Sequence, residues 1–167
     1  MKKIIVLLLI LALLLTGCSK TQYTIEDVSF SVPDTWSTEG ITQNENVKHM
    51  AFYSVTPNYP YMLQFTCTDW GEGVDPDKAL AMMKLGFYEI CVEELSTFED
   101  IVIDGAPGFR FDGPVNLSDG TGAHEIATVF MSGNYLYYFS SYCFTDYITD
   151  EKGYELYNSI IDSIEIN

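Results

Sequence analysis

The sequence predicts an α+β fold in which a mainly antiparallel sheet is sandwiched between helices. Several segments alternate apolar and polar residues with a period of two, and tight turns such as Gly133-Asn134 separate neighbouring strands. Only two segments of the domain have helical periodicity, which is too few for a doubly wound parallel sheet. Short turns between strands indicate antiparallel pairing, because parallel strands need long crossover connections.

The predicted strands share the period-two alternation and are bounded by turn or loop residues. They cover residues 28–32, 47–56, 61–68, 101–104, 109–111, 123–132 and 135–144. Residues 37–45 and 113–122 are polar and are predicted as loops, and residues 105–108 are predicted to separate two strands. The last strand carries aromatic residues on both faces. This favours a central position in a sheet that is covered on both sides.

Two helices are predicted. Asp75 is a suitable N-cap for the first, Pro76 suits its first turn, and Asp77 complements the positive end of the helix dipole. Apolar residues at helical spacing then form one stripe, Leu80, Met83, Phe87, Ile90 and Cys91. The second helix has its own stripe, Tyr154, Tyr157, Ile160, Ile161 and Ile164.

The N-terminus has the pattern of an export signal. Lys2 and Lys3 precede an unbroken apolar run, residues 4–15, which would span only about 18 Å as a helix and is too short for a bilayer. The following Leu15-Thr16-Gly17-Cys18 resembles the lipobox of bacterial lipoproteins. The resemblance implies that residues 1–17 are a signal peptide and that Cys18 receives a diacylglycerol, with acyl chains such as palmitate. It also implies a protein anchored in the lipid bilayer on the outer, extracytoplasmic face of the cell membrane.

The predicted organisation has three parts: the signal peptide 1–17, a lipidated anchor and short polar linker 18–27, and one domain 28–167. The net charge is −16, and removal of Lys2 and Lys3 with the signal would change it to −18. Such an acidic domain is not expected to bind nucleic acid or anionic headgroups. We therefore expect the acyl chains to provide the membrane attachment.

Three cysteines remain besides Cys18, an odd number for an oxidising compartment: Cys67, Cys91 and Cys143. One disulfide with one free thiol, and three free thiols, both remain open. All three lie in apolar-patterned segments, so we expect them to pack as small buried hydrophobic residues.

Three motifs together resemble the PsbP-like fold, whose members include the extrinsic photosystem II subunit and many bacterial lipoproteins. They are Phe-Ser-Val-Pro-Asp-Thr-Trp at 30–36, Val-Ile-Asp-Gly-Ala-Pro-Gly at 102–108 and Tyr-Asn-Ser-Ile-Ile-Asp-Ser-Ile at 157–164. The resemblance extends over residues 28–166. It implies a non-enzymatic accessory or binding domain, and some members of the family bind divalent cations. No ligand residue of the family matches a position here.

The alternative function is calcium binding through an acidic loop, because carboxylate oxygens are ligands that calcium prefers. Asp69, Glu72, Asp75 and Asp77 crowd a glycine-containing loop before the first helix, although their spacing is not that of an EF-hand. Asp75 and Asp77 are also explained as helix cap and dipole partners. A second set, Asp112, Asn116, Asp119 and Thr121, equally fits an ordinary strand connection.

We also expect the domain to bind a partner protein or another component of the cell envelope. Tyr59, Tyr61, Trp36 and Trp70 lie near connections and are the candidate contact residues. A hydrolase is less well supported, because His49 and His124 lie in no recognisable catalytic signature. His49 is predicted to lie on a strand face, and His124-Glu125 is predicted to be a solvated polar pair.

Overall fold

The structure, a computed structural model, describes residues 19–54, 61–117, 120–143 and 151–167. The predicted signal peptide, Cys18 and Tyr59 lie outside the described residues. In chain order the elements are β1 (Lys20–Ile25), β2 (Val28–Pro33), β3 (Trp36–Thr38), β4 (Thr42–Asn44), β5 (Val47–Ser54), β6 (Met62–Asp69), α1 (Pro76–Ile90), a 3₁₀ turn (Glu93–Leu95), β7 (Thr97–Ile103), β8 (Ala106–Asn116), β9 (Gly122–Ser132), β10 (Tyr135–Cys143), α2 (Glu151–Ile161) and β11 (Glu165–Ile166).

The described strands form two antiparallel sheets. The larger has the order β3-β5-β6-β10-β9-β8-β7, with β4 also paired to β5, and the smaller has the order β1-β2-β11. The predicted α+β class with antiparallel pairing is confirmed. The predicted central strand is confirmed too, since β10 lies between β6 and β9. Among the described residues, no helix combines the length and the apolar character that a membrane span needs.

Two hydrophobic cores lie on opposite faces of the larger sheet. Along β9, Ile126 and Phe130 belong to one core, and the alternating Ala127 and Val129 belong to the other. The first core is closed by α2 and the smaller sheet, and the second is closed by α1. The sheet is therefore covered on both sides, as the doubly apolar β10 requires.

Phe30 of β2 attaches the smaller sheet to the larger one. Its ring is fully buried, with its centroid 5.0 Å from that of Phe139 and 5.1 Å from that of Phe65. Burial of a phenylalanine side chain is worth about 1.5–3 kcal/mol, and edge-to-face ring pairs add to it.

The prediction of a linker before residue 28 is wrong for residues 20–25, which form β1. Tyr23 and Ile25 turn toward the core and pair with Phe30 and Val28 of β2. The outer half of β1 is exposed and polar, so it lacks the alternation by which strands are recognised.

Four further features differ from the sequence prediction. The predicted loop 37–45 contains β3 and β4, short edge strands that are mostly exposed and therefore show no apolar alternation. The predicted loop 113–122 is shorter, because β8 continues to Asn116. The turn at Asp104-Gly105 replaces the longer predicted break, and β11 follows α2 where no strand was predicted.

The first helix is confirmed. Asp75 Oδ1 accepts hydrogen bonds from the backbone N–H groups of Asp77 (3.1 Å) and Lys78 (3.4 Å), and Pro76 occupies the first turn. Cys67 and Cys91 are free thiols; Cys67 is buried and Cys91 is half-buried. Burial raises the pKa of Cys67 to about 11. The side chain of Cys143 lies outside the described part of the chain.

Gly108 allows β8 and β9 to approach closely, and its replacement by alanine should destabilise the domain. A Cβ atom at this position would overlap the backbone of Val129 and Phe130. We expect Gly108→Ala to lower the free energy of unfolding by about 1–3 kcal/mol, measured by urea denaturation, because the overlapping atoms are backbone and cannot rotate away. Gly86→Ala is the matched control: this α1 position is open, and helix propensity should raise the stability by up to about 1 kcal/mol. Equal effects of the two substitutions would contradict the explanation.

Candidate interaction surface

The four carboxylates predicted as a calcium site are not grouped as metal ligands, and two of them bind backbone N–H groups instead. Asp69 Oδ1 accepts a hydrogen bond from the Gly71 N–H at 2.8 Å, and Glu72 is exposed. Asp75 caps α1 and also lies 3.3 Å from Lys78 Nζ; the hydrogen bond from the Lys78 side chain is the main cause of its lowered pKa. Asp77 is exposed in the first turn. The described residues contain no group of three or more acidic, histidine or cysteine side chains arranged to hold a metal ion.

Asp69 instead borders a polar cleft of about 210 Å³ at one end of the larger sheet. Glu26, Glu45 and Tyr135 line it as well, and Lys48 extends into it and forms an ion pair with Glu26. Lys48, the cationic residue among those lining the cleft, is thus already paired, and Glu26, Glu45 and Asp69 come from three separate segments of the chain.

The second acidic set is also divided. Asp112 is directed toward α2, where its Oδ1 lies 2.7 Å from His124 Nε2 and its Oδ2 accepts a hydrogen bond from the Tyr154 hydroxyl at 2.8 Å. Burial alone would raise the pKa of Asp112, but the hydrogen bonds from His124 and Tyr154 outweigh it and lower the pKa. Asn116 ends β8, and Asp119 lies outside the described residues.

The two histidines have different partners. His49 lies on a strand face, as predicted, with its Nδ1 atom 3.2 Å from the Thr66 hydroxyl. His124 is not a solvated residue, because its pair with Asp112 is about three-quarters enclosed. Together with the hydrogen bond from Arg110 to Asn158 of α2 (2.8 Å), this pair helps to hold α2 on the sheet.

Glu125, predicted to be solvated, is fully buried on the α1 side of the sheet. One carboxyl oxygen accepts a hydrogen bond from the Tyr138 hydroxyl, which lies 2.9 Å from the Tyr142 hydroxyl. Its other oxygen has no hydrogen-bond partner among the described residues. Burial raises the pKa of Glu125 to about 7, against the lowering effect of the two tyrosines. The sequence did contain a sign of this burial. Residues two apart in a strand share a face, and Glu125 lies between Ala123 and Ala127, which both face the core.

The candidate aromatic contact residues do not form one cluster, although Trp36 and Tyr61 line the same small cavity beside α2. Tyr61 is buried, with 6% of its surface exposed, and Trp36 packs against the core on the α2 side. Trp70 packs against the core on the α1 side. Tyr59 lies outside the described part of the chain. These aromatic residues therefore do not build one contact surface among the described residues.

The outer face of α1 carries an exposed apolar surface that the sequence prediction missed. Met82, Leu85 and Tyr88 expose 62%, 63% and 49% of their surfaces, and Ala81 beside them is exposed as well. We call Ala81, Met82, Leu85 and Tyr88 the α1 patch. Leu95, just beyond the helix, is 70% exposed.

The α1 patch lies opposite the buried side of the same helix. Met82, Leu85 and Tyr88 are spaced three residues apart and form one oblique ridge. On the inner side, Leu80 and Phe87 are buried, and the Phe87 ring stacks on Phe111 with centroids 4.6 Å apart. The helix is thus apolar on both sides, although only one side is covered. A helix that is apolar all round is normally buried, which was the available sequence signal for a second contact surface.

The charges around the α1 patch are predominantly negative. The two nearby lysines are already paired: Lys78 with Asp75, and Lys84 with Asp100. Exposed carboxylates near the patch are Asp77 and Glu89 on α1 and Glu94 just beyond the helix. A groove of about 330 Å³ between α1 and β7 adjoins the patch at Ala81 and ends at Asp77 and Asp100. The patch therefore has an apolar centre and an acidic border.

Solved structures with the same fold include proteins of distant sequence. LpqN of Mycobacterium tuberculosis, a protein involved in cell envelope biogenesis, has a TM-score of 0.60 at 12% identity, covering 89% of this chain and 91% of that one. The PsbP protein of the cyanobacterium Synechocystis has a TM-score of 0.58 at 15% identity, covering 90% and 94%. These matches confirm the predicted PsbP-like fold.

A protein from Bacteroides thetaiotaomicron has a TM-score of 0.58 at 13% identity over 90% of this chain, which spans 49% of that protein's length. No family model matches the sequence, and no curated protein matches it. At these identities, the structural likeness establishes the fold alone.

Replacement of Glu125 by glutamine should change how stability depends on pH. In the folded protein the carboxyl ionises near pH 7, whereas in the unfolded chain it ionises near its ordinary value of 4.5. Stability contributed by the neutral group is therefore lost as pH rises from about 4.5 to 7. At about 1.4 kcal/mol per pKa unit, Glu125→Gln should gain on the order of 3 kcal/mol over wild type between pH 4.5 and 8.

Urea denaturation at both pH values measures this gain, with the exposed Glu72→Gln as control. A constant difference between Glu125→Gln and wild type across this range would show that the Glu125 carboxyl is not held neutral.

Proposed function

We propose that the protein is a lipid-anchored, extracytoplasmic accessory protein that binds a partner through the α1 patch and catalyses no reaction itself. The observation that carries the proposal is the uncovered apolar side of α1. Exposed contiguous apolar surface is unfavourable in water and is typical of binding sites.

The N-terminal pattern supports the anchored location. If Cys18 becomes the first residue and is lipidated, only Ser19 separates it from β1, which begins at Lys20. The domain would then stand directly at the membrane surface, without the longer linker that the sequence suggested. Such a short tether restricts the orientation of the domain, which suits a protein that meets a membrane-bound partner.

The fold neighbours support an accessory role by analogy. One is a PsbP protein and another is involved in cell envelope biogenesis, and each matches this chain over most of both lengths. Because one fold can serve several functions, the analogy supports the class of function and not a particular partner.

The chemistry of the described interior supports binding over catalysis. The pair of His124 and Asp112 holds α2, and Glu125 is enclosed beneath α1 without access to solvent. The α1 patch, in contrast, is open at Met82 and Leu85, and only its Tyr88 ring also packs within the domain, with its centroid 4.5 Å from that of Phe98.

The anchor is tested by Cys18→Ser in the full-length protein. We expect loss of labelling by a fatty acid analogue and either release from membranes or accumulation of the uncleaved precursor, because the acyl chains supply the attachment. Labelling and mass are read by gel and mass spectrometry. Labelling that persists in Cys18→Ser would rule out this anchor.

The binding surface is tested by Met82→Ser with Leu85→Ser in the cell that makes the protein. Membranes solubilised in mild detergent should yield the wild type in a larger complex on native gels, and the double variant should migrate alone. Ile41→Ser with Val47→Ser is the matched control, since these exposed apolar residues lie at β4 and β5, at the edge of the larger sheet opposite β7 and β8. Identical migration of all three proteins would refute a function of the α1 patch in binding.

A further inference from the structure

We propose that the α1 patch binds a cationic amphipathic segment of a partner protein, one apolar stripe flanked by lysine or arginine residues. This inference rests on the proposed function and specifies the chemistry of the partner.

The partner needs an apolar stripe because it must cover the apolar ridge of Met82, Leu85 and Tyr88. Their side chains present one methionine, one leucine and one aromatic ring over two turns of helix, in the spacing with which helix ridges fit into grooves. Methionine and tyrosine are enriched at protein interfaces, because both offer large contact surfaces to an apolar partner.

The positive flanks are required by the acidic border. Asp77 and Glu89 stand near the two ends of the ridge, and Glu94 follows the helix. The lysines on this side are ion-paired, with Asp75 and with Asp100, so the border retains a net negative charge. Positive residues on the partner would both match this field and speed association.

The same charges disfavour a lipid surface or a second copy of this protein as the binding partner of the α1 patch. Anionic headgroups would be repelled by the border and by a chain with a net charge of −16. A second copy would bring two acidic borders together around a symmetric contact, which adds like-charge repulsion.

The test uses a fluorescent 14-residue peptide with leucine on one helical face and lysine on the other, and a control peptide with glutamate in place of lysine. Fluorescence anisotropy measures binding to the full-length lipoprotein in a non-ionic detergent. The variant Met82→Ser with Leu85→Ser and the control Ile41→Ser with Val47→Ser are measured in the same detergent, so that binding of peptide to micelles cancels. Circular dichroism checks that both variants remain folded.

We expect the lysine peptide to bind the wild type and the control variant equally, and the α1 variant at least about tenfold more weakly. Affinity should fall with added salt, and the glutamate peptide should not bind. Equal affinity of the two peptides, or an unchanged affinity of the α1 variant, would overturn the proposal.

Two further measurements test whether the α1 patch binds a second copy of the protein or a lipid surface instead. A concentration-dependent dimer in analytical ultracentrifugation that is absent from the α1 variant would overturn the proposal and show that the patch binds a second copy. If the Cys18→Ser protein binds anionic phospholipid vesicles and loses this binding when Met82 and Leu85 are also replaced, the proposal is overturned and the patch binds a lipid surface. If the peptide fails while the native complex still depends on Met82 and Leu85, the partner's chemistry is wrong and the proposed function stands.

Discussion

The whole structure depends on the need to cover both faces of the central strands. β9 and β10 alternate between two sets of apolar residues, so neither face can stand in water. Phe30 of β2 and Tyr157 of α2 close one face, and Phe87 of α1 closes the other. Removal of apolar surface from water is the main favourable contribution to folding, and here it fixes a three-layer arrangement.

The two covering layers are attached by different means. On the α2 side, polar contacts add to the apolar core: the Tyr157 hydroxyl donates to Thr128 at 2.8 Å, and Asp112 binds both His124 and Tyr154. On the α1 side, aromatic packing around Phe87 dominates, and the buried carboxyl of Glu125 is bonded by Tyr138. Burial favours the neutral form of that carboxyl, so the stability of the α1 side of the core should fall as pH rises toward 7.

The arrangement has a functional consequence for α1. One side of the helix is needed to close the core, and the opposite side carries Met82, Leu85 and Tyr88 into solvent. Stability of the isolated domain does not require apolar residues at positions 82 and 85, since exposed helix positions tolerate polar residues. Their presence, with carboxylates around them, is the observation on which our proposal of a partner-binding surface rests.

The fold class, the cap of α1 at Asp75 and the central place of β10 could all be predicted from the amino-acid sequence, because turn chemistry and apolar periodicity are local signals. The sequence did not reveal β1, β3 or β4, whose exposed residues carry no periodicity and whose pairing depends on distant strands. The burial of Glu125 and the open side of α1 were likewise decided by tertiary structure. Which side of a helix or strand is covered depends on what packs against it, and that information is spread over the whole chain.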